Sequence, residues 1–252
     1  MENHIILSTE KLLNTPSNKD GVSDEDERKI RVYGAILIRK IGLILKLPHY
    51  TIATAQTIFQ RFYYTKSIKR IEVKVISMAS VFLASKIDET PRRIVHIINS
   101  FIHVQQLEEN QQIHPIDPYS QEYTDISSEI VKGESYMLHQ FGFVIQVEHP
   151  FKFLLNYCNS LECSQELTQT AWNILNDSYL TTICVQFPPE VIASSCIYFA
   201  SRLIDEEIVR NVEWYKLFGT TMDEILDVSL ELMLLYLQNI ESPKYIQFSD
   251  EK

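Results

Sequence analysis

The segment from Val75 to Ile98, VISMASVFLASKIDETPRRIVHII, constrains the fold more than any other part of the sequence. Up to Leu83 its residues are apolar or small on nearly every side, so a helix here has no polar face to turn toward water. The pattern therefore predicts a central helix that runs through a core. Lys86 follows in the last turn, where a cation suits the helix dipole, and a new helix is expected to begin at Pro91.

Lys86 has two interpretations. Its alkyl stem can run along the core while the ammonium group reaches water. Alternatively, it pairs with a carboxylate, and a later predicted helix at 126–141 places Glu134 in the middle of an apolar row. Because a carboxylate in such a row is unfavourable unless it is paired, we hypothesise a Lys86–Glu134 pair near the surface. Such a pair has spare hydrogen-bond donors and acceptors that a third group can use.

Composition and motifs limit the class of protein. The chain has 252 residues, of which 45% are hydrophobic, enough for one large domain or two small ones. It has no apolar run of about 18 residues and no signal-peptide pattern, so we expect a soluble intracellular protein without a membrane partner. The cysteines and histidines fit no metal spacing, and no catalytic motif is present. We therefore expect no zinc, disulfide or cofactor, and no enzymatic activity.

The charge of the chain is unevenly distributed. The formal net charge of −10 argues against direct nucleic-acid binding, which needs a basic surface. Residues 1–147 carry 17 Lys and Arg against 17 Asp and Glu, whereas residues 148–252 carry 6 against 16. The whole net charge therefore belongs to the second part of the chain.

The sequence contains an internal repeat. Residues 191–203, VIASSCIYFASRL, align without gaps on residues 75–87, VISMASVFLASKI. A repeat of this kind predicts an all-α fold of two tandem five-helix domains. The predicted segments are an irregular lead-in at 1–23, a first domain at 24–147, a second domain at 148–240 and a tail at 241–252. First-domain helices are expected at about 24–47, 51–63, 75–87, from 91 and at 126–141, with a loop at 105–123, and second-domain helices at 149–160, 165–182, 189–204, 211–218 and 221–240.

The first domain has glycines inside one predicted helix and arginines at the start of another, and both positions are unfavourable. Gly34 and Gly42 lie inside its first predicted helix, where each costs about 1 kcal/mol relative to alanine, so close contact with another helix is expected. Arg92 and Arg93 open the fourth predicted helix, a poor position for cations. Contact with a partner is one explanation for them, and an ordinary solvated surface is the commoner one.

Several motifs together resemble one family. A central apolar helix ends in ASK, and a later helix reads E-x-x-x-L-x-x-F-x-F. The segments TPSNKDG, LPHYTIATAQTIFQRFYY, MASVFLASKIDETPRRI and AWNILNDSYLTT resemble the transcription and splicing cyclins, cyclin L in particular, and VEHPFKFLLNY is also similar to cyclin K. The resemblance implies two cyclin boxes and a nuclear regulatory subunit. Such a subunit forms a heterodimer with a cyclin-dependent kinase and activates it in transcription or pre-mRNA splicing.

The resemblance also implies site residues. In the family, the lysine and glutamate at the positions of Lys86 and Glu134 hydrogen-bond backbone groups at the edge of the kinase αC helix. Binding there holds the αC glutamate of the kinase against its β3 lysine. Arg92 and Arg93 are possible contacts with the kinase activation segment. The pocket for one kinase side chain is expected to comprise Leu83, Ile87, Leu138 and Ile145.

The sequence departs from cell-cycle cyclins at one patch. Arg31 matches an arginine of their first helix, but Gln60 replaces the aspartate that usually holds it. Gly34 and Leu37 replace the leucine and tryptophan of the neighbouring substrate-docking patch, so we do not expect Arg-x-Leu peptides to bind. Two alternatives to a kinase activator stay open: a general transcription factor with two cyclin folds, and a helical scaffold that acts without a kinase.

Overall fold

The structure is a computed structural model that describes residues 6, 12, 14–208 and 213–237. All regular secondary structure in those residues is helical, which confirms the predicted all-α class. The chain divides into two compact units, with the boundary between Val147 and Glu148. The predicted tail at 241–252 and most of the predicted lead-in lie outside the described residues. No helix within 14–208 or 213–237 is long and apolar enough to cross a membrane.

The first unit is organised around one buried helix. That helix, α4 (Val73–Ile87), is buried from Ile76 to Ser85, which confirms the central helix predicted from the sequence. Every other long helix of the unit packs against it. Small residues along α4 allow these close approaches, and the Ser77 hydroxyl donates to the Gly34 carbonyl at 3.3 Å. The helices of this unit within residues 14–147 are α1 (Pro16–Lys19), α2 (Asp24–Ile44), α3 (His49–Phe62), α4 (Val73–Ile87), α5 (Ile94–Glu108) and α6 (Gln121–Gln140).

Helix α2 explains the acidic start and the two glycines of the sequence. The Ser23 side chain accepts from the Asp26 backbone N–H at 3.1 Å, and four acidic residues fill the first turn, where the helix dipole favours them. A Cβ on Gly34 would lie 2.1 Å from Phe59 Cζ, and a Cβ on Gly42 would lie 2.6 Å from Ile52 Cγ1. The predicted close contact is thus confirmed, and α3 is the neighbour.

Several predicted boundaries in the first unit are wrong. Helix α5 begins at Ile94 and not at Pro91, because Arg93 has the extended backbone of an N-cap residue (φ −70°, ψ 143°). The predicted polar loop at 105–123 is shorter at both ends, since α5 continues to Glu108 and α6 starts at Gln121. The Ser120 hydroxyl accepts from the Tyr123 N–H and caps α6. The predicted lead-in contains the short helix α1.

The second unit repeats the plan with changes. Helix α10 (Pro189–Leu203) takes the central place, packing against α7 (Phe151–Ser160), α8 (Gln165–Ser178) and α11 (Met222–Leu237). The predicted helix at 165–182 ends at Ser178, and the one predicted at 211–218 is a 3₁₀ helix, with residues 211 and 212 outside the described part. Gly219 follows it with a positive φ of 70°, which suits glycine. The elements are α7 (Phe151–Ser160), α8 (Gln165–Ser178), α9 (Ile183–Gln186), α10 (Pro189–Leu203), the 3₁₀ helix (Trp214–Phe218) and α11 (Met222–Leu237).

Candidate functional site

Lys86 and Glu134 form an ion pair between α4 and α6. The Lys86 ammonium donates to Glu134 Oε1 at 2.7 Å and to Oε2 at 2.9 Å. The lysine side chain is 46% exposed and the glutamate side chain 12% exposed, so the pair lies at the surface above the helix contact. The pairing hypothesis drawn from the sequence is thus confirmed. The ammonium also lies 3.8 Å from the centroid of the Phe82 ring, a favourable cation–π contact.

The pair keeps unused hydrogen-bonding capacity. An ammonium group carries three N–H donors, and two of them point at Glu134. Each carboxylate oxygen has a second lone pair beyond the one that Lys86 uses. The site therefore presents one donor and several acceptor positions side by side, and it can serve both kinds of backbone group at once.

The four predicted pocket residues lie on the same unit. Leu83 is buried at 3% exposure, and it belongs to the core beneath the surface rather than to the surface itself. Ile87, Leu138 and Ile145 are half-buried and pack against that core. Helix α4 packs against α6, and the Lys86–Glu134 pair joins the two helices, but a pocket formed by these four residues stays a prediction.

The segment after α6 adds apolar surface beside these residues. Gly142 and Phe143 both have positive φ angles, 56° and 61°, and the Phe143 N–H bonds the Leu138 carbonyl at 3.0 Å. A left-handed backbone at a residue with a side chain is unfavourable, so this turn displays the Phe143 ring at some cost. Phe143 is 65% exposed and Val144 is 45% exposed. Exposed apolar surface of this kind is typical of a binding site.

Arg61 supports this segment, and sequence reasoning missed it. Its guanidinium donates to the Val144 carbonyl at 3.2 Å and lies 4.6 Å from the centroid of the Phe141 ring. Burial lowers the pKa of Arg61, because the charged form loses hydration. The sequence signal that could have identified Arg61 is its place within the apolar pattern of α3. Nothing in the sequence indicates its acceptor, a carbonyl 83 positions later.

Arg92 and Arg93 have different surroundings. The Arg92 guanidinium donates to the carbonyls of Leu45 and Lys46, just after α2, and to those of Thr90 and Pro91. The bonds to Leu45 and Lys46 give partners to carbonyl groups at the end of α2, where no further turn of the helix supplies an N–H. Arg93 is exposed, and within the described part of the chain no hydrogen bond or ion pair is recorded for it. Contact with a partner stays a prediction for both residues.

Arg31 is held by a group that sequence reasoning did not name. Glu27, one turn earlier on α2, accepts from Arg31 Nε at 2.9 Å and from Nη2 at 2.7 Å. The Gln60 carbonyl accepts from Nη1 at 3.0 Å, and the Thr15 hydroxyl donates to Glu27 Oε2 at 2.6 Å. Glu27 therefore supplies the carboxylate that the glutamine at position 60 does not.

Comparison with known proteins identifies the family. A family model described as "Cyclin, N-terminal domain" matches residues 3–146, and one described as "Cyclin-T2-like, C-terminal domain" matches residues 149–234. The chain belongs to the cyclin family. Both the tandem organisation and the resemblance predicted from the sequence are thereby confirmed.

Relatives of this cyclin include cyclin L proteins. Cyclin-L2 of Homo sapiens is 39% identical over 249 residues, which are 98% of this chain and 48% of the relative. Cyclin-L1-1 of Oryza sativa subsp. japonica is 41% identical over 241 residues, 96% of this chain and 56% of the relative. The cyclin described here thus spans about half the length of these relatives.

Solved structures share the fold at low sequence identity. A chain from the yeast RNA Pol II CTD kinase CTDK-1 complex matches with a TM-score of 0.76 and 17% identity, over 93% of this cyclin and 74% of that chain. A chain from the yeast TFIIK (Kin28/Ccl1/Tfb3) complex matches with a TM-score of 0.61 and 18% identity, over 94% and 96%. At these identities the likeness establishes the fold alone.

Proposed function

We propose that this cyclin is the regulatory subunit of a cyclin-dependent kinase that acts in transcription or pre-mRNA splicing. It forms a heterodimer with the kinase in the nucleus and has no catalytic activity of its own. The cyclin L relatives and the kinase complexes that share the fold support this assignment. The observation that carries it is the exposed Lys86–Glu134 pair beside half-buried apolar residues. Residues 24–147 and 148–240 are assigned as the two cyclin boxes, and residues 1–23 and 241–252 as lead-in and tail.

The pair suits the end of a partner helix. Helix termini carry backbone N–H and C=O groups without intrahelical partners. The unused N–H of Lys86 binds a carbonyl, and the unused lone pairs of Glu134 bind an N–H. Because each side chain holds the other in place, little side-chain freedom is lost when the partner arrives. The pair therefore fixes both the position and the direction of the kinase αC helix.

The apolar residues provide the affinity. Ile87, Leu138 and Ile145 stay half-buried without a partner, and they pack against the core to which Leu83 belongs. Burying one large apolar kinase side chain there contributes about 1.5–3 kcal/mol. Phe143 and Val144 extend the apolar area. Docking holds the αC helix inward, so that its glutamate reaches the β3 lysine and the phosphoryl-transfer site is complete.

Affinity purification from the native cell tests the proposal. Wild type is compared with Lys86→Ala/Glu134→Ala, and the recovered proteins are identified by mass spectrometry and assayed for kinase activity. The matched control is Lys40→Ala/Glu108→Ala, which removes another exposed interhelical pair with a 2.7 Å contact, between α2 and α5. Exposed pairs contribute about 0.2–1 kcal/mol, so neither variant should unfold.

The expected result is a cyclin-dependent kinase that is recovered with wild type and with the Lys40/Glu108 control, and lost with the Lys86/Glu134 variant. Leu138→Asp should also abolish recovery, because it places a charge in the pocket. Recovery of no kinase with wild type would refute the function. Equal recovery with all variants would refute the site, and equal loss of helicity in both double variants would show that the fold had been damaged.

A further inference from the structure

Helix α11 of the second unit has two apolar faces. Ile225, Val228 and Leu232 are fully buried and pack against α10 and α8. On another side, four large apolar residues are 48–73% exposed. We call this second face the α11 seam, and it consists of Leu226, Leu230, Met233 and Leu237. One helix of a folded unit needs only its inward face to be apolar, so the seam is surplus to folding.

The spacing of the seam is that of a helix-pairing surface. Its residues follow one another at intervals of four, three and four positions. This is the alternation of a and d positions in a coiled coil, where each side chain inserts between residues of a facing helix. The seam runs along most of α11, which begins at Met222 and ends at Leu237. Its shape therefore fits another helix rather than a small molecule or an extended strand.

The charge beside the seam defines the partner. Helix α11 contains four acidic residues and no basic one. At 3.6 residues per turn, Asp223 and Asp227 lie along one edge of the seam. The second part of the chain as a whole carries 6 basic against 16 acidic residues. A second copy of this helix would bring four more carboxylates and no cation, whereas a helix with lysine or arginine beside its apolar face would be attracted.

We propose that the α11 seam binds an amphipathic helix of another protein whose apolar face is flanked by lysine and arginine. This interaction is separate from the Lys86–Glu134 site, which lies on the first unit. The second cyclin box thus has a partner of its own, and its excess of acidic residues selects that partner.

A synthetic peptide tests the seam on the full chain. The probe is a fluorescent three-heptad helix with leucine at a and d and lysine at e and g, and its control has glutamate at e and g. Binding is measured by anisotropy with wild type, with Leu230→Glu/Met233→Glu and with Leu217→Glu. Leu217 is a matched control because it is 74% exposed and lies on the 3₁₀ helix.

The expected result is saturable binding of the lysine peptide that weakens as salt is raised. The glutamate peptide and the double variant should each bind at least about tenfold more weakly, whereas Leu217→Glu should bind as wild type does. Two added carboxylates strengthen a purely electrostatic attraction, so weaker binding by the double variant identifies the apolar seam. Leu230→Ser/Met233→Ser provides the same test without added charge, should the glutamate variant fail to fold.

Other results would overturn the proposal. Absence of saturable binding, or equal binding by wild type and both double variants, would remove the seam as a docking surface. If wild type sediments as a dimer and Leu230→Glu/Met233→Glu as a monomer, the α11 seam binds a second copy of this chain. Cross-links from α11 to residues after 238 of the same chain would show that a later segment of this chain covers the α11 seam. Kinase recovery through Lys86 and Glu134 is measured in parallel, and it should not change in any of these variants.

Discussion

Replacing Glu27 with glutamine removes the charge that holds Arg31 inside the first unit. The two side chains are only 6% and 4% exposed, and Glu27 Oε1 accepts from Arg31 at 2.7 and 2.9 Å. Thr15 donates to the other oxygen at 2.6 Å, and the Arg31 guanidinium lies 4.3 Å from the centroid of the Tyr64 ring. The substitution keeps the shape of the side chain, removes its charge and replaces one acceptor oxygen with an NH2 group.

The expected loss is large because the remaining cation is buried. Removing one member of a buried pair costs about 3–5 kcal/mol, and glutamine still accepts one hydrogen bond, so Glu27→Gln should lower the free energy of unfolding by about 3 kcal/mol. Arg31→Met should cost a similar amount, because it leaves the carboxylate with Thr15 alone. The double variant buries no charge. It should therefore be more stable than the sum of the two losses implies, by about 2 kcal/mol or more.

Urea unfolding with two probes measures this cycle. Far-UV circular dichroism follows both units, whereas Trp172 and Trp214 both lie in the second unit, so their fluorescence provides an internal control. The transition seen only by circular dichroism should move to lower urea in each single variant. Losses that add in the double variant, or single losses below about 1 kcal/mol, would refute the view that Arg31 and Glu27 depend on each other.

Three further predictions concern the first unit. Gly34→Ala should lower the free energy of unfolding by about 2 kcal/mol or more despite the better helix propensity, because its Cβ meets the buried Phe59 ring at 2.1 Å; unchanged thermal stability would contradict this. Burial raises the pKa of Asp88, whose Oδ2 lacks a hydrogen bond. The native state therefore keeps the carboxyl proton to a higher pH than the unfolded chain does. Stability falls as pH rises from the pKa of Asp88 in the unfolded chain to its pKa in the native state. The stability of Asp88→Asn relative to wild type should therefore increase as pH is raised in parallel thermal melts, and a difference that does not change with pH would count against this. Arg92→Ala should lower the free energy of unfolding by about 1–2 kcal/mol, because the carbonyl groups that Arg92 binds lose their donor. Arg93→Ala should change that free energy by no more than about 0.5 kcal/mol. The single variant Arg93→Glu should lower kinase turnover without changing the melting temperature.

The sequence predicted the features that depend on local pattern. A helix that is apolar on all sides has to be central, which identified α4, and a glutamate within an apolar row needs a cation, which identified the Lys86–Glu134 pair. The internal repeat predicted two helical units. Gly34 and Gly42 indicated a close helix contact, because glycine is unfavourable inside a helix unless a neighbour leaves no room for a side chain.

Features that depend on distant contacts were missed. No periodicity links Arg61 to the Val144 carbonyl, because that bond joins a helix to a turn far along the chain. Glu27 looked like one of four equivalent acidic residues at a helix start, and only packing distinguishes it. The start of α5 was placed too early because proline suits a first helical turn, whereas here the backbone stays extended through Arg93.

The central position of α4 bears on which molecule would change shape in the proposed kinase complex. Lys86 and Leu83 belong to a helix that packs against four others, so the backbone that carries them can move only if the interior of the unit is repacked. A kinase helix on a mobile hinge has no such restraint. In the proposed complex the cyclin surface is therefore the more rigid of the two, and the kinase is expected to make most of the conformational adjustment. Variants that loosen the interior of the first unit should weaken activation even when every contact residue is intact.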